Sequence, residues 1–182
     1  KEAGLDDALA AEERDGLEHV VMHSLDGMSA SVSIEKAMNP YGDCLIAYEM
    51  NDEILPRDHG YPLRVIVPGY VGVRNVKWVN KIELSKEEAL GAWQRGLNYK
   101  ILPPGVTDAA TINIMEMPNM MEASLFSGIT KIEPMTTTSS RGFKSNAQPG
   151  DRVSMKVRGW AWAGGGRNIV RVDLTGDESR HR

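Results

Sequence analysis

Residues 57–77 read R-D-H-G-Y-P-L-R-V-I-V-P-G-Y-V-G-V-R-N-V-K and hold the densest cluster of residues able to do chemistry. Arg64, Arg74 and Lys77, with His59 and two loop glycines, surround an apolar strand. That arrangement suits an anion such as phosphate. A guanidinium offers a planar fork, an ammonium a point charge, and a glycine loop lets backbone N–H groups come close. A competing reading stays open: Arg57, Arg74 and Lys81 as solvated edge charges, and His59 as a turn residue beside Asp58 and Gly60. Tyr99, ahead of a proline-rich stretch, is a packing residue or a phenol with a task.

Other chemistries are excluded or reduced. Cys44 is the single cysteine, so the chain forms no internal disulfide and supplies no multi-cysteine zinc or iron–sulfur site. Met115, Met117, Met120 and Met121 have no thiolate or histidine beside them and read as adaptable packing rather than copper ligands. A net charge of -4 and a pI near 5.6 offer no basic surplus for nucleic acid. No apolar run approaches the roughly 20 residues of a membrane span.

The elements that must position these residues follow from pattern. Leu5 to Glu13 reads as a short amphipathic helix. Leu17 to Leu25 and Ser29 to Ile34 read as strands, the second placing Ala30, Val32 and Ile34 on one face. A helical stretch from Ile34 to Met38 ends at Asn39-Pro40. Cys44 to Met50 is a strand or a helix; periodicity does not separate them. Pro62 to Pro68 is a buried strand, Gly69 to Arg74 a glycine-bearing loop, and Val76 to Leu84 a strand. Ser85, three residues before Glu88, has the spacing of a capping box and predicts a helix start. Tyr99 to Pro118 is a long extended connection, and a boundary near Ala123 divides the chain into 1–122 and 123–182. Beyond it come a strand at Ser127 to Ile132, a polar loop at Thr136 to Gly150, and a strand at Val153 to Trp162. The Gly164-Gly165-Gly166 turn then leads into a strand at Ile169 to Leu174. Strand, glycine turn, strand predicts a hairpin of an antiparallel sandwich. The missing initiator Met and the short polar tail suggest a piece of a longer polypeptide.

The run M-N-D-E-I-L-P-R-D-H-G-Y-P-L-R-V-I-V-P-G-Y-V-G-V-R-N-V-K-W, with L-I-A-Y-E before it and W-A-W-A-G-G-G-R-N-I-V-R-V-D-L downstream, resembles the sulfite oxidase family of molybdopterin enzymes. The likeness extends from about Leu5 to Leu174. It implies an α+β fold: a mixed, N-terminally truncated molybdopterin-binding domain, then the beginning of an immunoglobulin-like dimerisation sandwich. It also implies a molybdenum cofactor whose phosphate and pterin are held by His59, Arg64 and the Asn75, Val76, Lys77 segment. Asp26 is a further cofactor contact, with a turn carboxylate as its equal alternative. Tyr99, in G-L-N-Y-K, matches the substrate-pocket tyrosine and favours sulfite over nitrate.

The implied activity is oxidation of sulfite to sulfate, with electrons passing to cytochrome c or oxygen, in a homodimer. The mitochondrial intermembrane space is the first expected location; peroxisome and bacterial periplasm are the others. A haem on a separate upstream domain is compatible with the likeness. The family's molybdenum-ligating cysteine lies upstream of this chain, so no metal ligand is assigned here, Cys44 reads as a small buried hydrophobe, and the fragment alone is expected to be inactive. Trp160 and Trp162, two apart on one strand face, read as core or interface packing. Two alternatives remain: a nitrate reductase or other molybdoenzyme of the family, and an inert dimerisation or scaffold module.

Overall fold

A computed structural model describes residues 15–135 and 154–176. The expected helix at Leu5 to Glu13 and polar loop at Thr136 to Gly150 lie outside the described residues. The chain divides into two compact units, Lys1–Ala123 and Ser124–Arg182.

In the first unit, β1 (His19–Ser24) runs antiparallel between β2 (Ser29–Ser33) and β7 (Val79–Ser85). Val20 pairs with Val32 and Leu84, and Met22 with Ala30 and Ile82. This alternation sends Met22, Ala30 and Val32 to one face, where they pack with Val65, Val67, Val76 and Val79 in the core. The opposite face is buried too: Ser31 Oγ accepts from Ala89 N at 2.9 Å and Ser31 N donates to Gln94 Oε1 at 3.1 Å. A buried polar residue in mid-strand is therefore satisfied by the segment that crosses it.

Helix α1 (Ile34–Met38) follows directly, its first turn capped by Ser33 Oγ, which accepts from Lys36 N at 3.2 Å. The ambiguous stretch after it is extended: β3 (Leu45–Ala47) pairs with β6 (Arg64–Ile66), and β4 (Glu49–Met50) pairs with β5 (Glu53–Ile54). Short 3₁₀ turns at Arg57–His59 and Gly72–Arg74 flank β6.

Three expectations need correction in the first unit. Strand β7 begins at Val79, because Trp78 takes a left-handed φ of 53° and Val76 O is already bound by Val65 N. No helix starts at Ser85: its Oγ accepts from Glu87 N, Ala89 N is claimed by Ser31, and the four-residue helix α2 (Ala92–Arg95) begins only after Gly91. Tertiary hydrogen bonds here override a local cap. The stretch from Tyr99 to Pro118 is not simply extended but carries 3₁₀ turns at Ala109–Thr111 and Ile114–Glu116, each started by a side chain (Asp108, Asn113) that accepts a backbone N–H.

In the second unit, β8 (Phe126–Pro134) pairs antiparallel with β9 (Met155–Trp162). Phe126 packs edge-on against Trp160 and Trp162, with ring centroids 5.1 and 5.3 Å away, a favoured aromatic geometry. The hairpin expected across the glycine turn is absent among the described residues: Ile169 to Leu174 forms no ladder, and Val170 is 96% exposed. Gly165 and Gly166 do adopt the positive φ of a turn, but the partner of β9 is β8. Among the described residues the chain is sheet-rich with few helices, and its second unit shows a single two-stranded ladder.

Met22 is 1% exposed at the centre of the core. Met22→Ala is expected to destabilise the first unit by about 2–5 kcal/mol, the range for truncating a large buried apolar side chain, as read by urea denaturation.

Candidate functional site

The site is built around the Arg57–His59 turn and the glycine that ends it. Gly60 has φ 118°, and a Cβ there would lie 3.0 Å from Arg64 Cβ and 3.2 Å from Lys77 Cβ. Only a residue without a side chain lets these two cations come so close to the turn. Arg64 Nη1 donates to His59 O at 3.0 Å, and Lys77 Nζ donates to Asp58 O at 2.8 Å. Trp78 Nε1 donates to Arg57 O at 2.7 Å, and Lys77 Nζ stands 4.6 Å over the Trp78 ring. All three turn carbonyls are thus taken by side chains from β6 and from the two residues just before β7.

Lys77 also lines a cavity of about 220 Å³ with Ser24, Asp26, Asn75, Val76, Trp78 and Tyr99. The structure therefore brings Asp26, Asn75, Val76, Lys77 and Tyr99 together around one space. His59 and Arg64 do not line it; they meet Lys77 at the turn.

The Asn75 side chain is committed to its own loop. Its Oδ1 accepts from Val67 N at 2.7 Å and its Nδ2 donates to Val71 O at 3.1 Å. Asp26 is exposed in a tight turn, where its Oδ1 accepts from Met28 N at 3.0 Å. That bond, above all, holds its carboxyl below the ordinary range, with the Ser24 hydroxyl and the charge of Lys77 acting the same way. Asp26 is thus both a turn carboxylate and a cavity wall.

Arg74 departs from the sequence expectation. It is 0% exposed, neither a solvated edge charge nor a free phosphate donor. Its Nε and Nη2 donate to Met120 O at 3.2 and 3.0 Å, and its Nη1 donates to Trp93 O at 3.0 Å and to Gln94 Oε1. Trp78 and Trp93 are wall residues that sequence reading missed. The adjacency of Trp78 to Lys77 was the available signal.

Cys44 is half-buried in an apolar cavity with Val20, Met22, Val65 and Ile82, and burial pushes its thiol up. Among the described residues no three His, Cys, Asp or Glu side chains cluster to hold a metal. No helix among them is long and apolar enough to cross a membrane.

The donor set fits a phosphorylated pterin. Two cations are fixed in place, neither ion-paired among the described residues. Arg64 Nε is shielded and unpartnered, and the glycine cradle is one that a Cβ would fill. Such a donor set suits the class of domains that bind an anionic cofactor.

Comparison with known proteins gives the same class. The oxidoreductase molybdopterin binding domain matches residues 1–93, and the Mo-co oxidoreductase dimerisation domain matches residues 126–181. The mitochondrial sulfite oxidase of Drosophila melanogaster is 43% identical over 90% of this chain and 28% of its own length. The sulfite oxidase of Gallus gallus is 38% identical over 93% of this chain and 35% of its own. The nitrate reductase [NADPH] of Fusarium oxysporum is more distant, 28% identical over 94% of this chain and 19% of its own. The sulfane dehydrogenase SoxCD of Paracoccus pantotrophus shares the fold with TM-score 0.50 and 22% identity, over 63% of this chain and 27% of that one. The chain belongs to the sulfite oxidase family of molybdopterin-binding oxidoreductases. It spans about a third or less of the length of these relatives.

Two outcomes follow. Gly60→Ala should destabilise the first unit by about 1–3 kcal/mol through strain at its positive φ. Gly72→Ala, with nothing within 4 Å of its Cβ, should stay within about 0.5 kcal/mol; paired urea titrations compare them. Cys44 should react with iodoacetamide more slowly than glutathione at pH 8, the rate rising with pH as the thiolate forms.

Proposed function

We propose that this chain contributes the cofactor grip and the substrate-pocket tyrosine of an oxidoreductase that converts sulfite to sulfate. The observation that carries this reading is the shared cavity: Lys77, Asn75 and Val76 form its wall beside the Arg64 and His59 turn, and Tyr99 stands at the same space. When bound, the molybdenum cofactor supplies oxygen-atom transfer and the storage of two electrons.

The residues of this chain do the rest. Arg64 and Lys77 bind the phosphate as pre-positioned cations, which costs little reorganisation. His59 hydrogen-bonds the phosphate or the pterin edge, and Asp26 accepts from a pterin N–H. Asn75, spent on its loop, fixes the backbone through which the 75–77 segment makes its contacts. Tyr99 donates a hydrogen bond to the substrate oxyanion and holds the proton that moves with charge there.

Sulfite is favoured over nitrate because the sulfite oxidases reach 38–43% identity and the nitrate reductase 28%. The name of the Drosophila melanogaster relative supports a mitochondrial site, which we read more finely as the intermembrane space, and we propose cytochrome c or oxygen as electron acceptor. Residues 1–122 are read as the end of the cofactor domain. Residues 123–182 are read as the start of an immunoglobulin-like sandwich through which a homodimer forms, supported by the dimerisation-domain match.

The test is turnover by the complete oxidoreductase. Sulfite should be consumed and nitrate should not, and Tyr99→Phe should lower kcat by roughly 10²-fold, the lower range for removing a proton-transfer group. Arg64→Met and Lys77→Met should lower molybdenum content measured by elemental analysis. A complete enzyme indifferent to sulfite overturns the reading.

A further inference from the structure

Arg74 is a fully buried cation that the proposed chemistry does not use, and all of its hydrogen bonds run to uncharged acceptors. Met120 O takes two of its donors, and Trp93 O and Gln94 Oε1 share a third. Two of the groups that hold Tyr99 sit on these acceptors' residues, beside Gly96 O, which accepts from Tyr99 N at 3.2 Å. Met120 N donates to Tyr99 O at 2.7 Å, and the Trp93 ring lies 6.0 Å from the Tyr99 ring. Arg74 itself ends the Gly72–Arg74 turn, immediately before the Asn75 to Lys77 segment. One guanidinium therefore ties three stretches of chain together: the turn carrying the cofactor-facing segment, the helix bearing Trp93, and the strand-like segment that anchors Tyr99.

We infer that Arg74 is the positioning residue of this site, fixing the Tyr99 phenol relative to the Asn75–Lys77 wall through Trp93 and Met120. The inference rests on the proposed role of Tyr99 and deepens it. Lysine does not substitute, since an ammonium lacks the planar fork that reaches acceptors on two separate segments. Gln94 completes the link: its Nε2 donates to Glu88 Oε2 at 3.1 Å and its Oε1 accepts from Ser31 N, so the arginine is braced against the sheet. Burial works against the charge of Arg74, and the carboxylate of Glu88 acts in part against that loss.

The experiment uses the full chain labelled with fluorotyrosine and read by ¹⁹F NMR, with the Tyr99 resonance assigned through Tyr99→Phe. In Arg74→Lys, the Tyr99 resonance should move toward the position of free fluorotyrosine, while that of Tyr70, half-buried in the same unit under Lys36, stays in place. A stationary Tyr99 signal, or Tyr70 and Tyr99 moving together, overturns the inference. Should Arg74→Lys fail to fold, Gln94→Met, which removes one acceptor and leaves the Met120 and Trp93 bonds, should shift Tyr99 alone and by less; no shift overturns the inference equally. In the complete oxidoreductase, Arg74→Lys should lower kcat by about a hundred-fold, the cost of a displacement near 1 Å, at unchanged molybdenum content. A loss accounted for by missing molybdenum overturns it. Failure of the sulfite reading is seen separately, as absent turnover in the unmutated enzyme, and leaves the NMR result standing.

Discussion

Two cationic head groups anchored on backbone carbonyls, not on carboxylates, are the arrangement on which the site depends. A carboxylate partner would fix Arg64 or Lys77 equally well but would cancel its charge. The carbonyls of Asp58 and His59 order the side chains and leave that charge available. The cost falls on the turn, whose three carbonyls all point toward side-chain donors, and on Gly60, whose backbone conformation and crowded surroundings exclude a Cβ. The sequence H-G-Y-P-L-R thus encodes a distance between charges as much as a set of residue types.

Arg74 lies ten residues beyond Arg64 and meets the opposite fate. A buried guanidinium left unpaired would cost several kcal/mol, and here the penalty is offset by four hydrogen-bond contacts and by Glu88 nearby. Such a group is conformationally unforgiving: it must reach Met120, Trp93 and Gln94 at once or leave a polar atom stranded. Burial therefore turns a residue type associated with anion binding into a spacer between chain segments. The half-buried cation of Arg64 keeps a charge without an ion-pair partner among the described residues, and the enclosed one spends its donors on acceptors from separate segments.

What the sequence made legible divides along this line. Strands β1 and β2 were readable from the apolar run at Leu17 to Leu25 and the alternation of Ala30 and Val32, and α1 from its stop at Asn39-Pro40. The resemblance brought His59, Arg64, Asn75, Val76, Lys77, Asp26 and Tyr99 forward, and the structure gathers five of them at one cavity and the other two at the adjoining turn. Missed were the features decided by tertiary contact. The burial of Arg74 depends on residues 19 to 46 positions away. The false start at Ser85 arises because Ser31, far upstream, captures Ala89 N. The hairpin expected at Ile169 does not form among the described residues, where β9 pairs with β8 from across a longer connection. Local periodicity carries no information about any of these.

The wall of the cavity shows why such sites sit where regular structure stops. In a regular strand Lys77 and Trp78 would face opposite sides. The left-handed φ of Trp78, an outlier for a bulky residue, breaks that alternation and places the Lys77 ammonium over the neighbouring indole. Three bonds hold the outlier: Trp78 N to Gly60 O, Leu25 N to Trp78 O, and the indole N–H to Arg57 O. Two come from the Arg57–Gly60 turn and one from the loop that follows β1, so the strain persists only while both loops and the residues before β7 are in place. Strain at one residue then serves as the joint that aligns the acceptor, the cation and the aromatic wall, and the same bonds that maintain it exclude the ladder from starting before Val79.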